Sequence, residues 1–263
     1  MTFIGRSPTG TILLAAAASV YAIGMGFLAA AYIALTPTNL PMVSDLSHGS
    51  DWLRLIGSLI VLVAVIAAGR SAHRDGQGVR DPIVAAFAAL LIAVGLLVEA
   101  AAGETLTAAG VIVGLGIAVA SLPVFARDDR AIGTGLVLFA IGYAMFTSAT
   151  STVVAVTAGL FETAGVVAIT FAVATLVHPG GYLRSAPGKP IWVRSLMAGL
   201  FLLIIAFIVQ ACVTGVIYSG HGSLADARGG FAAAYALQFL GFAMLGISAW
   251  AWYMHLEGRS IVL

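Results

Sequence analysis

The chain has 263 residues, of which 61% are hydrophobic and only 9% charged, with a mean hydropathy of +1.07. Water-soluble domains carry about 25% charged residues because a folded surface needs them, so this composition excludes a soluble globular protein, a disordered chain and a collagen. The single cysteine, Cys212, rules out an internal disulfide, and a net charge of +1 gives no basis for binding nucleic acid. The expected fold class is all-α: one polytopic transmembrane domain over the whole chain, with the lipid bilayer as its first partner.

A hydrocarbon core about 30 Å thick needs about 20 apolar helical residues, since backbone groups in lipid must pair within their own segment. Eight stretches qualify: Thr11–Leu35, Trp52–Gly69, Pro82–Ala101, Thr107–Phe125, Ile132–Ala149, Val153–Val177, Ser195–Tyr218 and Phe231–Tyr253. The first follows Arg6 but is too long for a signal-peptide core of about 7–15 residues, so it reads as a retained anchor. Pro37 and Pro41 follow it, and the polar stretch Thr36–Asp51 reads as a loop. Pro82 sits at the first turn of the third span, where a missing N–H costs nothing. In the fourth, Gly110 and Gly114 form a GxxxG pair, read chiefly as internal packing and alternatively as a dimer face, and Pro123 predicts a kink. Pro179, Pro187 and Pro190 mark the loop after the sixth span, and Trp250, Trp252 and Tyr253 read as an interfacial anchor on the eighth.

Basic residues are retained on the cytoplasmic side. With eight alternating spans, ten of the 12 fall on one side, namely Arg6, Arg70, Arg74, Arg80, Arg127, Arg130, Arg184, Lys189, Arg194 and Arg259. Arg54 and Arg228 are the exceptions. The expected location is the cell (inner) membrane with both termini cytoplasmic.

Internal repetition is the next expectation, since many membrane transporters are duplicated bundles. Gly10-Thr11 and Tyr21-Ala22 answer Gly133-Thr134 and Tyr143-Ala144, the stretch from Leu55 to His73 lies on that from Leu160 to His178, and Val98-Glu99-Ala100 answers Val209-Gln210-Ala211. The pattern suggests a four-plus-four duplication.

Ionisable groups deep in a span are costly, at least about 2.5 kcal/mol on insertion scales. Glu162 is the clearest case, roughly 14 Å from the outer end of the sixth span at about 1.5 Å per residue. Ala155, Ala158, Gly159 and Gly165 on its face let a neighbouring helix approach, which turns Glu162 into the bundle. Tyr143, Thr147, Gln210 and Gln238 reach similar depth, while Glu99 and Arg54 sit shallower and are placed to pair. All lie in the outer half; the inner half offers only hydroxyls such as Ser121, Thr170 and Ser248. Desolvation disfavours the carboxylate anion, so Glu162 is expected to hold a proton and exchange it when solvent enters. The competing reading makes it interhelical glue, hydrogen-bonded to a neighbouring helix.

Asp45, His48 and Asp51 recur at one-turn spacing, with His221 in another outer loop; they offer oxygen and nitrogen ligands for a divalent metal, although ordinary solvated loop residues are the simpler reading. Lys189, the one lysine, lies in a loop, which argues against a retinal Schiff base, and the histidines lie at helix ends or outside the spans, which argues against bis-histidine haem. No hydrolase, phosphate-loop or zinc-enzyme motif occurs, so no cofactor and no catalytic residue is assigned. The favoured function is binding or passage of a small solute, cation or proton through an outward-facing polar vestibule ending at Glu162. A non-catalytic subunit or scaffold, packed against other membrane subunits or in a homo-oligomer, is the second reading. A membrane hydrolase with an outer-face metal is the third.

Overall fold

The computed structural model describes residues 7–36, 38–76, 78, 80–102, 107–126, 129–177, 191–220 and 223–258. Among them all regular structure is helical: α1 Pro8–Ala34, α2 Leu40–Arg74, α3 Arg80–Ala102, α4 Thr107–Phe125, α5 Arg130–Thr147, α6 Thr152–Val177, α7 Ile191–Tyr218 and α8 Leu224–Leu256. Each of the eight is long and apolar enough to cross a membrane. Local chemistry sets several starts. Ser7 caps α1 by accepting from the Gly10 amide at 3.2 Å, with Pro8 preset for the first turn, and Ser223 with Asp226 forms a capping box on α8.

The largest departure from the expected spans is at α2. The stretch Thr36–Asp51, expected as a loop, is helical from Leu40 onward. Pro41 occupies the first turn of α2, where a proline favours rather than breaks a helix, and nothing downstream interrupts it. At 35 residues α2 is roughly 52 Å long at a rise of about 1.5 Å per residue. It therefore exceeds the length needed to cross a hydrocarbon core of about 30 Å, and the surplus is its polar first three turns. α8, at 33 residues, likewise starts about two turns before the expected Phe231. α4 passes through Pro123 and ends two residues later. The loop prolines 179, 187 and 190, with Pro37, lie outside the described residues.

The helices form a closed up-and-down ring. Among the described residues the backbone of each helix comes close only to its neighbours in sequence, and α8 closes the circle against α1. Antiparallel pairing is visible in matched contacts: Gly10 faces Ala68 while Gly24 faces Leu53, and Gly135 faces Gly165 while Gly142 faces Glu162. Small residues make these seams. A Cβ built on Gly135 meets the Gly165 carbonyl oxygen at 2.7 Å, and one on Gly165 meets the Gly135 oxygen at 2.6 Å. α5 and α6 thus approach backbone to backbone, the kind of contact that replaces hydrophobic drive between apolar helices. Gly110 and Gly114 both serve the α4–α5 seam, facing Thr147 and Ala140, so the GxxxG pair is internal packing.

Candidate functional site

Side chains, not backbones, fill the middle of the ring. The end where α1 finishes and α2 begins, called outer below, is polar. Arg54 of α2 donates from Nη1 to Oδ1 of Asp51 at 3.2 Å and from Nη2 to Oε2 of Glu99 on α3 at 3.3 Å. Nη2 also donates to the Tyr143 hydroxyl on α5 at 2.8 Å, bridging two helices whose backbones are not neighbours. A tyrosine that accepts from arginine keeps its own proton free to donate, and Glu99 lies beside it. Exposure falls inward along this chain, from 24% for the Asp51 side chain through 17% for Arg54 to 5% for Glu99.

Glu162 of α6 sits at the seam with α5. It is 4% exposed and makes no hydrogen bond among the described residues. Its surroundings are shaped by small residues: Gly142 of α5 lies against its backbone nitrogen and Cγ, and Gly159, one turn earlier, packs on Ala211 of α7. Between α7 and α8, Gln238 donates through Nε2 to Oε1 of Gln210 at 2.7 Å, a buried amide pair that ties the two helices.

Inward of this level the ring is apolar. Phe207 and Leu203 of α7, Val166 of α6, Phe139 of α5 and Phe242 of α8 pack together, with the Phe139 and Phe207 rings edge-to-face at 5.3 Å. Tyr21 of α1 meets Phe242 at 5.6 Å. The inner hydroxyls are consumed by main-chain carbonyls: Ser121 bonds Ala118 at 2.6 Å, Thr170 bonds Val166 at 2.7 Å and Ser248 bonds Trp192 at 2.7 Å. The ring therefore has a polar outer level over an apolar inner plug.

Of the residues singled out from sequence, Arg54, Glu99 and Tyr143 are joined by hydrogen bonds, Gln210 and Gln238 bond each other, and Glu162 lies against Gly142 of α5. Thr147 does not join them. Its hydroxyl returns to the carbonyls of Tyr143 and Ala144, and its side chain fills the space over Gly110. Asp45, His48 and Asp51 lie on α2 rather than in a loop. His48 accepts from the Trp52 indole at 3.0 Å, and Asp51 is drawn to Arg54. Among the described residues no three acidic, histidine or cysteine side chains gather as metal ligands; His221 lies outside them.

Sequence reasoning missed Tyr235, Tyr32 and Phe231. Tyr32 stacks on Tyr235 at 5.4 Å and meets Phe231 at 4.9 Å, lining the α1–α8 side of the outer level. The signal was present, since Phe231, Tyr235 and Gln238 recur at the spacing of one helical face. Two buried hydroxyls, of Ser50 and Thr214, also lack a partner among the described residues, and Thr214 stands one turn outward of Gln210.

Comparison with protein families, with characterised proteins and with solved structures finds no match to this chain.

Proposed function

We propose that the chain is an eight-span integral membrane protein whose ring encloses an outward-facing polar chamber ending at Glu162, which binds or passes a small solute, cation or proton. One observation carries the reading: a 4%-exposed carboxyl that makes no hydrogen bond among the described residues. An ionisable group withdrawn from water without a partner is costly. Interhelical glue requires that the carboxyl bond to a neighbouring helix, and among the described residues it does not. A pure scaffold accounts for the glycine seams but gives no reason to keep this acid. An outer-face hydrolase loses support because His48 and Asp51 are engaged by Trp52 and Arg54.

In this reading Asp51, Arg54, Glu99 and Tyr143 form the polar wall by which solvent reaches Glu162. Gln210 and Gln238 close the far side, and the phenylalanine cluster seals the cytoplasmic half. Cytoplasmic termini and a location in the cell (inner) membrane are supported by Arg70, Arg74, Arg80, Arg130 and Arg194, which share the inner end of the ring. Both exceptions have structural roles, Arg54 in the polar wall and Arg228 as a donor to the Leu35 carbonyl at 3.0 Å, where it caps α1. The four-plus-four duplication belongs to the same proposal, with Tyr21 of α1 and Tyr143 of α5 equivalent under it.

The test is access to position 162. In a Cys212→Ser background, Glu162→Cys should react with a membrane-impermeant thiol reagent added to intact cells. The same reagent enclosed on the cytoplasmic side should leave it untouched. A thiol unreactive from outside ends the chamber reading.

A further inference from the structure

The chamber reading requires Glu162 to meet the outer side, yet the residue is only 4% exposed, so a contact must part to admit solvent. Two side-chain contacts cross the inside of the ring between helices whose backbones are not neighbours, and α5 carries one half of each. Outward, Arg54 of α2 reaches the Tyr143 hydroxyl at 2.8 Å; inward, Phe139 meets Phe207 of α7 edge-to-face at 5.3 Å. Tyr143 follows Phe139 by one turn on α5. On α6, Glu162 lies against Gly142, the residue before Tyr143, and stands one turn outward of Val166 in the phenylalanine cluster. Arg54 is anchored nearer the outer end. Its partner Glu99 is three residues from the end of α3, whereas Glu162 lies ten residues inside α6, about 15 Å at a rise of about 1.5 Å per residue.

The outer contact has a firm end and a weak one. Arg54 is tied to two carboxylates on the α2–α3 side, Asp51 at 3.2 Å and Glu99 at 3.3 Å. On the α5 side the contact rests on a single neutral hydroxyl. A bond with charge on both partners is the stronger kind, so the contact parts at Tyr143. Arg54 then keeps its acids, and opening strands no buried cation. Resting on the chamber reading above, we infer that the Arg54–Tyr143 contact is the outer gate of the ring: the structure is its closed state, and release of the Tyr143 hydroxyl admits solvent to Glu162.

The rate of labelling at position 162 tests this. In the Cys212→Ser/Glu162→Cys background, a membrane-impermeant thiol reagent added to intact cells should react slowly. Adding Tyr143→Phe should speed the reaction roughly 10- to 100-fold, the factor for losing one hydrogen bond to a charged group. Phenylalanine keeps the ring that packs against the cluster of Leu55, Leu96 and Val113, so the fold is preserved. Tyr32→Phe, on the α1–α8 side, should leave the rate unchanged. Arg54→Lys keeps a cation beside Glu99 but gives up the guanidinium fork that serves several acceptors at once. It should also speed labelling, and combined with Tyr143→Phe it should add nothing, because both act on one contact. Equal rates with and without Tyr143→Phe remove the gate and leave the chamber; labelling of neither removes both. Effects of the two substitutions that multiply, or an equal acceleration by Tyr32→Phe, also overturn the gate.

Discussion

Gly142 of α5 lies against Glu162 of α6, so that a Cβ on the glycine falls 2.7 Å from both the backbone nitrogen and Cγ of the glutamate and 2.7 Å from the Ala158 carbonyl oxygen. Two of these three neighbours are backbone atoms and cannot swing away. The glycine thereby fixes both the α5–α6 spacing and the start of the Glu162 side chain. Gly142→Ala should force the helices apart and cost about 1–3 kcal/mol, read as a lowered Tm in detergent. Gly229→Ala, where a Cβ meets nothing within 4 Å inside a helix, is the control. It should leave Tm unchanged or raise it, since alanine is the better helix former by up to about 1 kcal/mol.

The Arg54 triad predicts an asymmetric response to mutation. Arg54→Met strands Glu99, whose side chain is 5% exposed, as an unpaired buried acid. Breaking such a pair from one side costs about 3–5 kcal/mol, whereas replacing both members with apolar groups is often nearly neutral. The double variant Arg54→Met/Glu99→Leu should therefore be more stable than Arg54→Met alone. Equal or worse stability of the double variant, in the same thermal assay, contradicts this account of the wall.

The Gln210–Gln238 bond is a separable interaction between α7 and α8. Hydrogen bonds between apolar helices average about 0.6 kcal/mol and reach about 1.7 kcal/mol. A double-mutant cycle with Gln210→Leu and Gln238→Leu should return a coupling in that range, measured by unfolding in mixed micelles. Zero coupling would mean that each amide acts alone.

How much of this was legible from the residues follows from the physics of each feature. The eight helices were legible because a continuous apolar run has one outcome. The first turns of α2 were not, because polarity reports exposure rather than backbone conformation, and Asp45 and His48 are as comfortable on a protruding helix as in a loop. Arg54 with Glu99 was anticipated from depth alone, since two opposite charges at one level of a bundle have few other partners. The reach of Arg54 to Tyr143 was hidden, because it depends on how wide the ring is. Thr147 shows the limit of depth as a guide: it sits only one turn from Tyr143, yet its face meets Gly110 of α4. Among the aromatics, a phenylalanine lining the middle of the ring is indistinguishable in composition from one facing outward, so the plug emerged only from packing.

That plug yields the last prediction. Phe207 of α7 and Phe139 of α5 meet edge-to-face at 5.3 Å although their helices are not neighbours in the ring. Together with Leu203 and Phe242 they separate the level of Glu162 from the inner end. Removing one of these rings leaves a void between the level of Glu162 and the inner end. Phe207→Ala should cost about 3–5 kcal/mol in stability through the lost packing and the cavity. If the plug is the barrier between the chamber and the cytoplasm, it should also let protons leak through liposomes that the wild-type protein keeps tight, followed with an enclosed pH dye. Adding Glu162→Gln to Phe207→Ala should reduce that leak, because the exchangeable acid at the base of the chamber is gone. A Phe207→Ala variant that folds yet stays proton-tight places the barrier elsewhere in the ring. A leak indifferent to Glu162→Gln detaches the acid from the path, since an opening through the plug alone would then suffice.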